Sequence, residues 1–476
     1  MKNNFCTSIA ILAVGLLSLV QGCASNPEAS SKTAAQLSAD DNAWLAEVPG
    51  GISPSLAATT SPSPASYNVH DFGAVGDGTT KDTAAFQKAL DTCAVNGGGE
   101  VLVPAGAYLI GSIQIGTKTI LRLEQGATLR ASPDLADYPV TDVRWEGRWQ
   151  PGRRGLIYAS NVDHIGIVGP GRIEETVTGT NGPDGLRNPV VLEPVSCNDV
   201  RWEGFTVAQG GHWATHPVYC TGVMIKNITI TCRRDGIDVD SCKNVRIDGC
   251  TITTSDDSIS LKSGRGMDGA RLAKPCENIL ITNCTLSDSN FACVGIGSET
   301  SGGIRNVRIE HCKFTFSKSA AIYIKTRIGR AGADDNIAGD DLDILSENNR
   351  GALTGGFLQI NLISSGNNST VDDAVEGLVG IPSASKIRFS NVRVKCATLV
   401  DVTKTSPQKP IQGLSLINIT GTCTKGISLA NIVGAELRGI NVTGFTGDLL
   451  TTDHVTGTGL DHPDVGSTAG PALAKP

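Results

Sequence analysis

The chain has 476 residues, of which 18 % are charged, 4 % are aromatic and 56 are glycine, and its formal net charge is −7 at pH 7. This length allows two to four domains or one long repeat array. The composition excludes a coiled coil and a charged disordered chain, and the excess of acidic over basic residues argues against a nucleic-acid-binding protein. Abundant glycine together with Val, Ile, Thr, Asn and Ser is typical of short strands joined by tight turns.

The first residues predict an exported protein. Lys2 precedes an apolar run over residues 9–20 that has the length of a signal h-region, and the run ends in the sequence VQGC, which resembles a bacterial lipobox. We expect residues 1–22 to be a signal peptide and Cys23 to be lipidated, which places the protein at the outer membrane or cell surface. An ordinary cleaved signal would make it periplasmic or secreted. No later apolar run has the length of a membrane span, so we expect membrane contact only through this anchor.

The flanks of the folded part differ from it in composition. Residues 23–65 are rich in Ser, Ala, Pro and Thr and predict a flexible tether, and residues 457–476 predict a disordered tail. Residues 66–456 are left for the folded domain. Near its start, Thr83–Ala94 predicts an amphipathic helix that covers the N-terminal end of the array. The apolar face of this helix carries Phe86, Ala89, Leu90 and Cys93.

A hexad with alternating apolar residues recurs along this domain. Its successive starts lie 22 to 34 residues apart, apart from one gap of 80. Repetition at this period is the signature of a solenoid, and alternation with period 2 makes the unit a strand. The hexads are Val200–Phe205, Val223–Ile228, Val245–Cys250, Ile279–Cys284, Val307–Cys312, Ile387–Val392, Leu414–Ile419 and Leu437–Val442.

A second strand follows the hexads in step with them. Its inward pairs are Ile237/Val239, Ile259/Leu261, Val294/Ile296 and Ile322/Ile324. Two strands that keep one period predict an all-β fold, a right-handed parallel β-helix with an N-terminal capping helix. A propeller would need a longer period, and a leucine-rich repeat would need its own signature.

Two residue types recur at fixed hexad positions. Asn occupies the fifth position five times, where stacked amides could bond across coils, and Cys occupies the sixth position three times. The chain has 14 cysteines, and removing Cys6 and Cys23 leaves 12. Cysteines that recur in a repeat are more typical of small buried stacking residues than of disulfides.

Carboxylates gather just before the second strand. Asp235 and Asp257 are 22 residues apart, one coil of the array, and Asp256 adjoins Asp257. Carboxylates at this separation repel each other, so at least one pKa should rise and leave an acid protonated beside an ionised neighbour. Glycoside hydrolysis needs this pairing of acid and base. Clustered carboxylates can also bind Ca²⁺ or accept hydrogen bonds in turns, and the spacing leaves these alternatives open.

Cations accompany the carboxylates. Lys262 and Lys325 follow the second inward residue of their pairs, with Arg265 nearby, and these side chains could hold an acidic sugar or form plain salt bridges. His216 lacks a metal-ligand spacing, so we expect a structural role or a substrate contact. The chain has no Walker loop, no G-x-S-x-G elbow and no H-E-x-x-H motif. We therefore expect no cofactor and no metal.

Several separate motifs resemble glycoside hydrolase family 28, the polygalacturonases and their relatives. The resemblance covers roughly residues 67–325, more than half of the chain. The opening segment is shared by many pectin-active β-helix proteins and says little about activity, whereas the later motifs are specific together. These segments are Tyr67–Leu90, Trp213–Cys220 (WATHPVYC), Arg234–Asp238 (RDGID), Ser255–Gly264 (SDDSISLKSG), Ile296–Asn306 (IGSETSGGIRN) and Ile324–Thr326 (IKT).

The resemblance implies a mechanism and shows two departures. It implies that Asp256 is the general acid, that Asp235 and Asp257 activate water, and that the anomeric centre is inverted. Carboxylates one coil apart could be closer than the roughly 6.5–9.5 Å typical of inverting enzymes, and about 5 Å would indicate retention. Ala292 stands where the family has a histidine, and Tyr323 stands where it has a substrate-binding arginine. These departures put plain polygalacturonic acid in doubt as the substrate.

The sequence therefore predicts an exported, monomeric hydrolase of an acidic plant cell-wall polysaccharide, of galacturonan or rhamnogalacturonan type. The expected substrate-binding residues are Lys262, Lys325, Tyr323, His216 and Arg265. A non-catalytic carbohydrate-binding β-helix is the main alternative, because of the two departures. A Ca²⁺-dependent polysaccharide lyase on the same scaffold is a further alternative.

Overall fold

A computed structural model describes residues 43–48, 65–209, 212–348, 350–366 and 374–461. The predicted signal peptide, Cys23, most of the predicted tether and the tail after residue 461 lie outside the described residues. Within the tether region, Ala43–Glu47 forms a 3-10 helix, and Trp44 and Val48 are buried. The last strand ends at Thr458, two residues into the predicted tail.

The described residues form 32 strands, numbered here in chain order. The N-terminal part holds β1 Ser66–Asn68, β2 Asp77–Lys81, β3 Gly99–Val103, β4 Gly106–Ile110, β5 Ile113–Gln114, β6 Thr119–Leu123, β7 Ala127–Ala131, β8 Val140–Trp145, β9 Arg148–Arg153, β10 Ile157–Ser160, β11 Asp163–Val168 and β12 Arg172–Glu174. The middle holds β13 Leu192–Val195, β14 Asn198–Glu203, β15 Thr206–Gln209, β16 Thr221–Lys226, β17 Thr229–Cys232, β18 Ile237–Asp240, β19 Lys243–Asp248, β20 Thr251–Thr254, β21 Ile259–Lys262, β22 Cys276–Thr282, β23 Thr285–Ser287 and β24 Ala292–Gly297. The C-terminal part holds β25 Ile304–Glu310, β26 Lys313–Phe314, β27 Ala320–Lys325, β28 Ala333–Leu345, β29 Gly356–Asn361, β30 Ser383–Lys404, β31 Ile411–Thr443 and β32 Leu450–Thr458.

The strands wind into three parallel sheets. Sheet A contains β1, β3, β6, β11, β14, β16, β19, β22 and β25, and sheet B contains β2, β4, β7, β12, β15, β17, β20, β23 and β26. Sheet C contains β5, β10, β13, β18, β21, β24, β27 and β29. The long strands β28, β30 and β31 continue the coils from one sheet into the next. This arrangement confirms the predicted right-handed parallel β-helix.

Alternation along the hexads decides which side chains face inward. The first, third and sixth residues of the hexad at β14 are Val200, Trp202 and Phe205, and they are at most 3 % exposed. In sheet C, β18 pairs with β21 so that Ile237 lies against Ile259. Each coil thus adds apolar residues to one continuous core, as the two-strand period predicts.

Asparagine forms a ladder, but chiefly at another position than expected. Asn244, Asn278, Asn306 and Asn336 share a left-handed backbone conformation on successive coils, and their side-chain amides bond in series at 2.8 Å. At the predicted fifth hexad position, the amide of Asn418 donates to Asn391 Oδ1 at 3.1 Å. These four asparagines lie near the start of β19, β22, β25 and β28, so the pairing of neighbouring coils sets their amides one above the other.

One helix covers the start of the coil. Helix α1, Thr83–Val95, buries Phe86, Ala89, Leu90 and Cys93, which is the predicted apolar face. Helix α2, Gly266–Leu272, lies in the loop after β21. None of the helices in the described ranges has the length and apolar character needed to cross a bilayer.

The antiparallel hairpin of β8 and β9 stands apart from the coils. Its turn is Glu146-Gly147, and both residues have positive φ, 43° and 78°. Two central residues with positive φ match the right-handed twist of a two-residue hairpin. The 12 cysteines of the described residues are all buried and form no disulfide among themselves.

Candidate active site

Three carboxylates lie beside sheet C on two neighbouring turns. One turn carries Asp235 just before β18, and the next carries Asp256 and Asp257 just before β21. The Gly236 amide donates to the Asp257 carbonyl at 3.0 Å, which holds the two turns in register on adjacent coils. Glycine fits at 236 because a Cβ there would lie 2.5 Å from the carbonyl oxygen of Ser258. The structure therefore brings together the aspartates that the 22-residue spacing places on neighbouring coils.

Asp257 is oriented by three donors. Its Oδ2 accepts from Lys325 Nζ at 2.6 Å and from Ser260 Oγ at 2.8 Å, and its Oδ1 accepts from the Ala292 amide at 3.1 Å. Its side chain is 3 % exposed. Gly295 makes room for this arrangement, because a Cβ there would lie 2.4 Å from Asp257 Oδ2. The carboxylate is thus fixed just below the cleft surface.

Asp256 lies nearer to solvent. Its side chain is 21 % exposed, its Oδ1 accepts from the Asp257 amide at 3.1 Å, and Arg234 Nη1 lies 3.8 Å from its Oδ2. Burial and the charges of Asp235 and Asp257 raise the pKa of Asp256 to about 7, against the opposing fields of Arg234 and Lys325. Near neutral pH this carboxyl can therefore hold a proton and donate it.

Asp235 lies next to a buried acid, Asp238, and to the buried ammonium group of Lys262. Lys262 Nζ lies 3.4 Å from Asp235 Oδ2, 3.0 Å from Asp238 Oδ1 and 3.8 Å from Glu299 Oε2. Burial raises the pKa of Asp238 well above its ordinary value, and the neighbouring charge of Asp235 adds to this effect. The charge of Lys262 opposes this rise in the pKa of Asp238. Burial also raises the pKa of Asp235, and Lys262 opposes this rise.

Lys262 lies beneath the acids rather than on the cleft surface. It is 6 % exposed, and its Nζ lies 4.5 Å from the centroid of the Trp213 ring. Burial opposes its charge, but Asp238, Glu299 and Asp235 outweigh burial and raise the pKa of Lys262 well above its ordinary value. The sequence predicts a substrate contact for this residue, whereas its surroundings are those of a counter-ion to protein carboxylates.

Lys325 and Tyr323 lie on β27, two coils beyond β21. The side chain of Lys325 is 13 % exposed and pairs with Asp257. Tyr323 is 9 % exposed, its hydroxyl lies 3.1 Å from Ser365 Oγ, and its ring centroid lies 5.7 Å from Lys325 Nζ. A phenol ring therefore packs beside the ammonium where the resemblance implies a guanidinium. Ala292, at the position implied for a histidine, is fully buried.

His216 and Arg265 are held away from the cleft surface. His216 is fully buried, with Nε2 3.8 Å from Asp240 Oδ2 and its ring edge-on to Trp213. Burial lowers the pKa of His216 even though Asp240 opposes this shift. Arg265 is 6 % exposed and lies 3.1 Å from Glu146 in the hairpin turn. The substrate contacts of His216 and Arg265 remain predictions; in the structure His216 lies against Asp240 and Trp213, and Arg265 lies against the hairpin turn.

The hairpin β8–β9 forms a wall beside the acids, and sequence reasoning missed it. Arg144 bonds both oxygens of Asp240, at 2.8 and 3.2 Å, and these side chains are 1 % and 0 % exposed. Trp145 stacks on Trp213 with 5.5 Å between ring centroids, and Trp213 in turn faces Lys262. The signal that could have revealed it is the pair of short strand-like runs around a two-residue turn ending in glycine.

A family model described as "Glycosyl hydrolases family 28" matches residues 93–346, which include Asp235, Asp256 and Asp257. A "Probable polygalacturonase" of Vitis vinifera is 34 % identical over 289 residues, covering 56 % of this chain and 58 % of that protein. An "Exo-poly-alpha-D-galacturonosidase" of Dickeya chrysanthemi is 27 % identical over 413 residues, covering 75 % of this chain and 65 % of that protein. The match thus spans less than two thirds of the length of either relative.

Solved structures give the same fold. The family 28 exopolygalacturonase of Yersinia enterocolitica superposes with a TM-score of 0.69 at 19 % identity, covering 84 % of this chain and 79 % of that one. At this level of identity the likeness concerns the fold alone.

Proposed function

The chain belongs to glycoside hydrolase family 28, and on that premise we propose that it hydrolyses glycosidic bonds in a pectic polysaccharide of galacturonan or rhamnogalacturonan type. The observation that carries the proposal is the contrast among the three carboxylates. The pKa of Asp256 is raised to about 7 at the cleft surface, while Asp257 and Asp235 are held next to ammonium groups. An acid that keeps its proton near neutral pH beside two carboxylates held by cations is the pairing that glycoside hydrolysis needs.

The roles follow from these environments. Asp256 donates its proton to the leaving glycosidic oxygen as the bond from that oxygen to the anomeric carbon breaks. Asp235 and Asp257 accept the proton of a water whose oxygen attacks the anomeric carbon from the opposite face. The new bond replaces the old one with inversion, and each proton given by the protein is matched by one taken up.

Lys262 and Asp238 act as positioning residues in this proposal. The Lys262 ammonium lies 3.4 Å from Asp235 Oδ2, and Asp238 holds that ammonium from below at 3.0 Å. Lys325 orients Asp257 in the same way. The three acids are therefore held before substrate arrives, which reduces the reorganisation needed during the reaction.

The pairing with cations favours hydrolysis over Ca²⁺-dependent elimination. Each of the three aspartates has a protein cation within 4 Å, namely Lys262, Arg234 and Lys325. A divalent ion at these carboxylates would meet the repulsion of those cations. Carboxylates that ligate calcium are usually not paired with a protein cation, because the metal ion itself neutralises their charge.

Export, a monomeric state and an acidic plant cell-wall polysaccharide as partner are also part of the proposal. Export is supported by the apolar run at residues 9–20 and the lipobox-like sequence ending in Cys23, and the acidic polysaccharide is supported by the carboxylate-bearing family motifs. A lipid on Cys23 would place the enzyme at a membrane surface. Metabolic labelling with a palmitate analogue would test it, and Cys23→Ser should abolish the incorporation of label.

The first test of the reaction is the substitution Asp256→Asn. It removes the proton donor with little change in shape, and we expect kcat on pectic oligosaccharides to fall by about 10²- to 10⁴-fold. Circular dichroism and the midpoint of thermal unfolding should stay as in the wild type. The matched control is Asp199→Asn, an exposed carboxylate on sheet A whose side chain is 67 % exposed, and it should retain wild-type turnover.

Reducing-end release from polygalacturonate and from rhamnogalacturonan backbone oligosaccharides, with products identified by mass, measures the effect. If the kcat of Asp256→Asn stays within tenfold of the wild-type kcat, Asp256 is not the general acid. Saturable glycan binding with no reducing-end release by the wild type would instead make the protein a binding module.

A further inference from the structure

A row of side chains lines the rim of the cleft, one from each of three successive turns. Backbone bonds from Gly236 to Asp257 and from Ser258 to Ala292 set these turns in register, so Arg234, Asp256 and Phe291 follow one another along the helix axis. We call these three residues the rim row. The side chain of Arg234 is 42 % exposed, that of Asp256 is 21 % exposed, and Phe291 is 51 % exposed.

The cations below the rim are committed to protein partners. Lys262 contacts three carboxylates, and Lys325 donates to Asp257 at 2.6 Å. The guanidinium of Arg234 differs, because it is half-exposed and its nearest approach to Asp256 is 3.8 Å. At that distance the pair is electrostatic rather than hydrogen-bonded. Its planar fork can therefore turn towards a ligand carboxylate without breaking a short bond.

We propose that Arg234 is a specificity residue that binds the carboxylate of a uronic acid at the scissile bond and thereby prepares Asp256 to act as the acid. This inference rests on the proposed function and deepens it. A substrate carboxylate that engages Arg234 takes over the partner of Asp256 and adds a negative charge beside it. Both changes favour the protonated form of Asp256. A sugar that lacks the free carboxylate does not contact Arg234 in this way, and its binding does not favour the protonated form of Asp256.

The charges around Asp256 support this coupling. Asp235 and Asp257 face it and raise its pKa, and Arg234 and Lys325 face it and lower its pKa. Lys325 is already bonded to Asp257 and only 13 % exposed, so a substrate changes its field less. Arg234 is thus the cation whose influence on Asp256 a bound uronate can alter most.

The test compares free-acid and methyl-esterified forms of the same galacturonan or rhamnogalacturonan oligosaccharide. Methyl esterification removes the charge and leaves the rest of the sugar in place. We expect Arg234→Gln to reduce the ratio of kcat/KM for the acid to kcat/KM for the ester by at least about tenfold, as for one lost charge-assisted pair. Arg234→Lys should restore part of this discrimination. The matched control is Arg233→Gln, an exposed arginine one residue earlier, which should leave the ratio unchanged.

A second readout is the pH profile, which a merely structural role would not move. The alkaline limb of kcat/KM reports the free enzyme, and that of kcat reports the complex. For the wild type acting on the acid substrate, we expect the alkaline limb of kcat to lie at higher pH than the alkaline limb of kcat/KM. In Arg234→Gln the limb of kcat/KM should move up by roughly 0.5 to 1 pH unit, so that the two limbs converge.

The outcomes separate this inference from the proposed function. Equal loss on acid and ester by Arg234→Gln, or an equal change in ratio with Arg233→Gln, would overturn the role of Arg234 and leave hydrolysis standing. Failure of the wild type to cleave either form would overturn the proposed function and this inference with it.

Discussion

Asp235, Asp256 and Asp257 carry the same side chain in three different surroundings. Three donors orient Asp257, a buried ammonium lies beside Asp235, and two negative neighbours with one half-exposed guanidinium surround Asp256. One pKa unit corresponds to about 1.4 kcal/mol of differential interaction, so contrasts of this kind suffice to separate an acid from its bases.

The pKa of Asp256 sets an expected pH dependence. A general acid must be protonated, and a pKa raised to about 7 keeps the proton on Asp256 until neutral pH, whereas an ordinary aspartate loses it near pH 4. For the free enzyme we therefore expect kcat/KM to fall as the pH rises through about 7. Initial rates between about pH 4 and pH 9 at constant ionic strength measure this limb. Rates that stay level or rise between about pH 6 and pH 8 would speak against Asp256 as the acid.

At the scale of elements, the hairpin β8–β9 connects distant parts of the chain. Arg144, Trp145 and Glu146 attach it to β18, to the aromatic cluster and to the loop after β21. Its turn packs closely against that loop, because a Cβ on Gly147 would lie 3.0 Å from backbone atoms of Gly264 and Arg265. The hairpin thus reaches from the coil of β6, β7 and β10 to the coil that carries Asp257.

Gly147→Ala tests this close approach. The matched control is Gly434→Ala, where φ is 77° against 78° at Gly147 but a Cβ would meet no atom within 4 Å. Both changes should cost about 1–2 kcal/mol for a left-handed residue with a side chain. Gly147→Ala should cost roughly 1–3 kcal/mol more through overpacking, and it should raise KM by displacing the wall. Urea unfolding and steady-state kinetics measure the two effects. Equal free energies of unfolding for the two variants would show that the hairpin turn does not pack tightly against the loop after β21.

The coils were predictable from the sequence and the hairpin contacts were not. Hexads and second strands repeat with one period, so the register that joins Asp235 to Asp257 follows from counting residues. The burial of His216 depends on Asp240 and on Arg144, which lies 96 residues before Asp240 in the chain. A non-repeating insertion that packs on a distant coil leaves no periodic trace, so counting residues could not show the contact between Arg144 and Asp240.

At the scale of the whole molecule, one apolar core runs through the coils, and an acid interrupts it. Asp334 lies on β28 between Ile304 and Ala384 of the neighbouring coils and is 1 % exposed. Both carboxyl oxygens lack a hydrogen-bond partner among the described residues. Burial raises the pKa of Asp334 well above its ordinary value, so folding favours the neutral form of this acid.

Asp334→Ala should therefore stabilise the fold. We expect a gain of roughly 1–3 kcal/mol near neutral pH from removing an unsatisfied polar group. Because the pKa of this acid is raised in the folded state, the wild type loses stability as the pH rises above about 4, and the gain should be smaller at pH 4 than at pH 8. The control is Asp335→Ala, which removes a partly exposed side chain bonded to Ser385 at 2.6 Å and should not stabilise. Urea unfolding of the wild type and both variants at pH 4 and pH 8 measures these free energies. An Asp334→Ala variant that is less stable than the wild type at pH 8 would contradict the prediction.

The roles assigned to Asp235, Asp256 and Asp257 require that water displaces the leaving group directly, in one step. Time-resolved proton NMR of a pectic oligosaccharide during its first minutes of digestion measures this most directly. We expect the new reducing end to appear first with the anomeric configuration opposite to that of the cleaved bond. A product that first appears with retained configuration, or with an unsaturated ring that absorbs ultraviolet light, would contradict the assignment of Asp256 as the acid and of Asp235 and Asp257 as the bases.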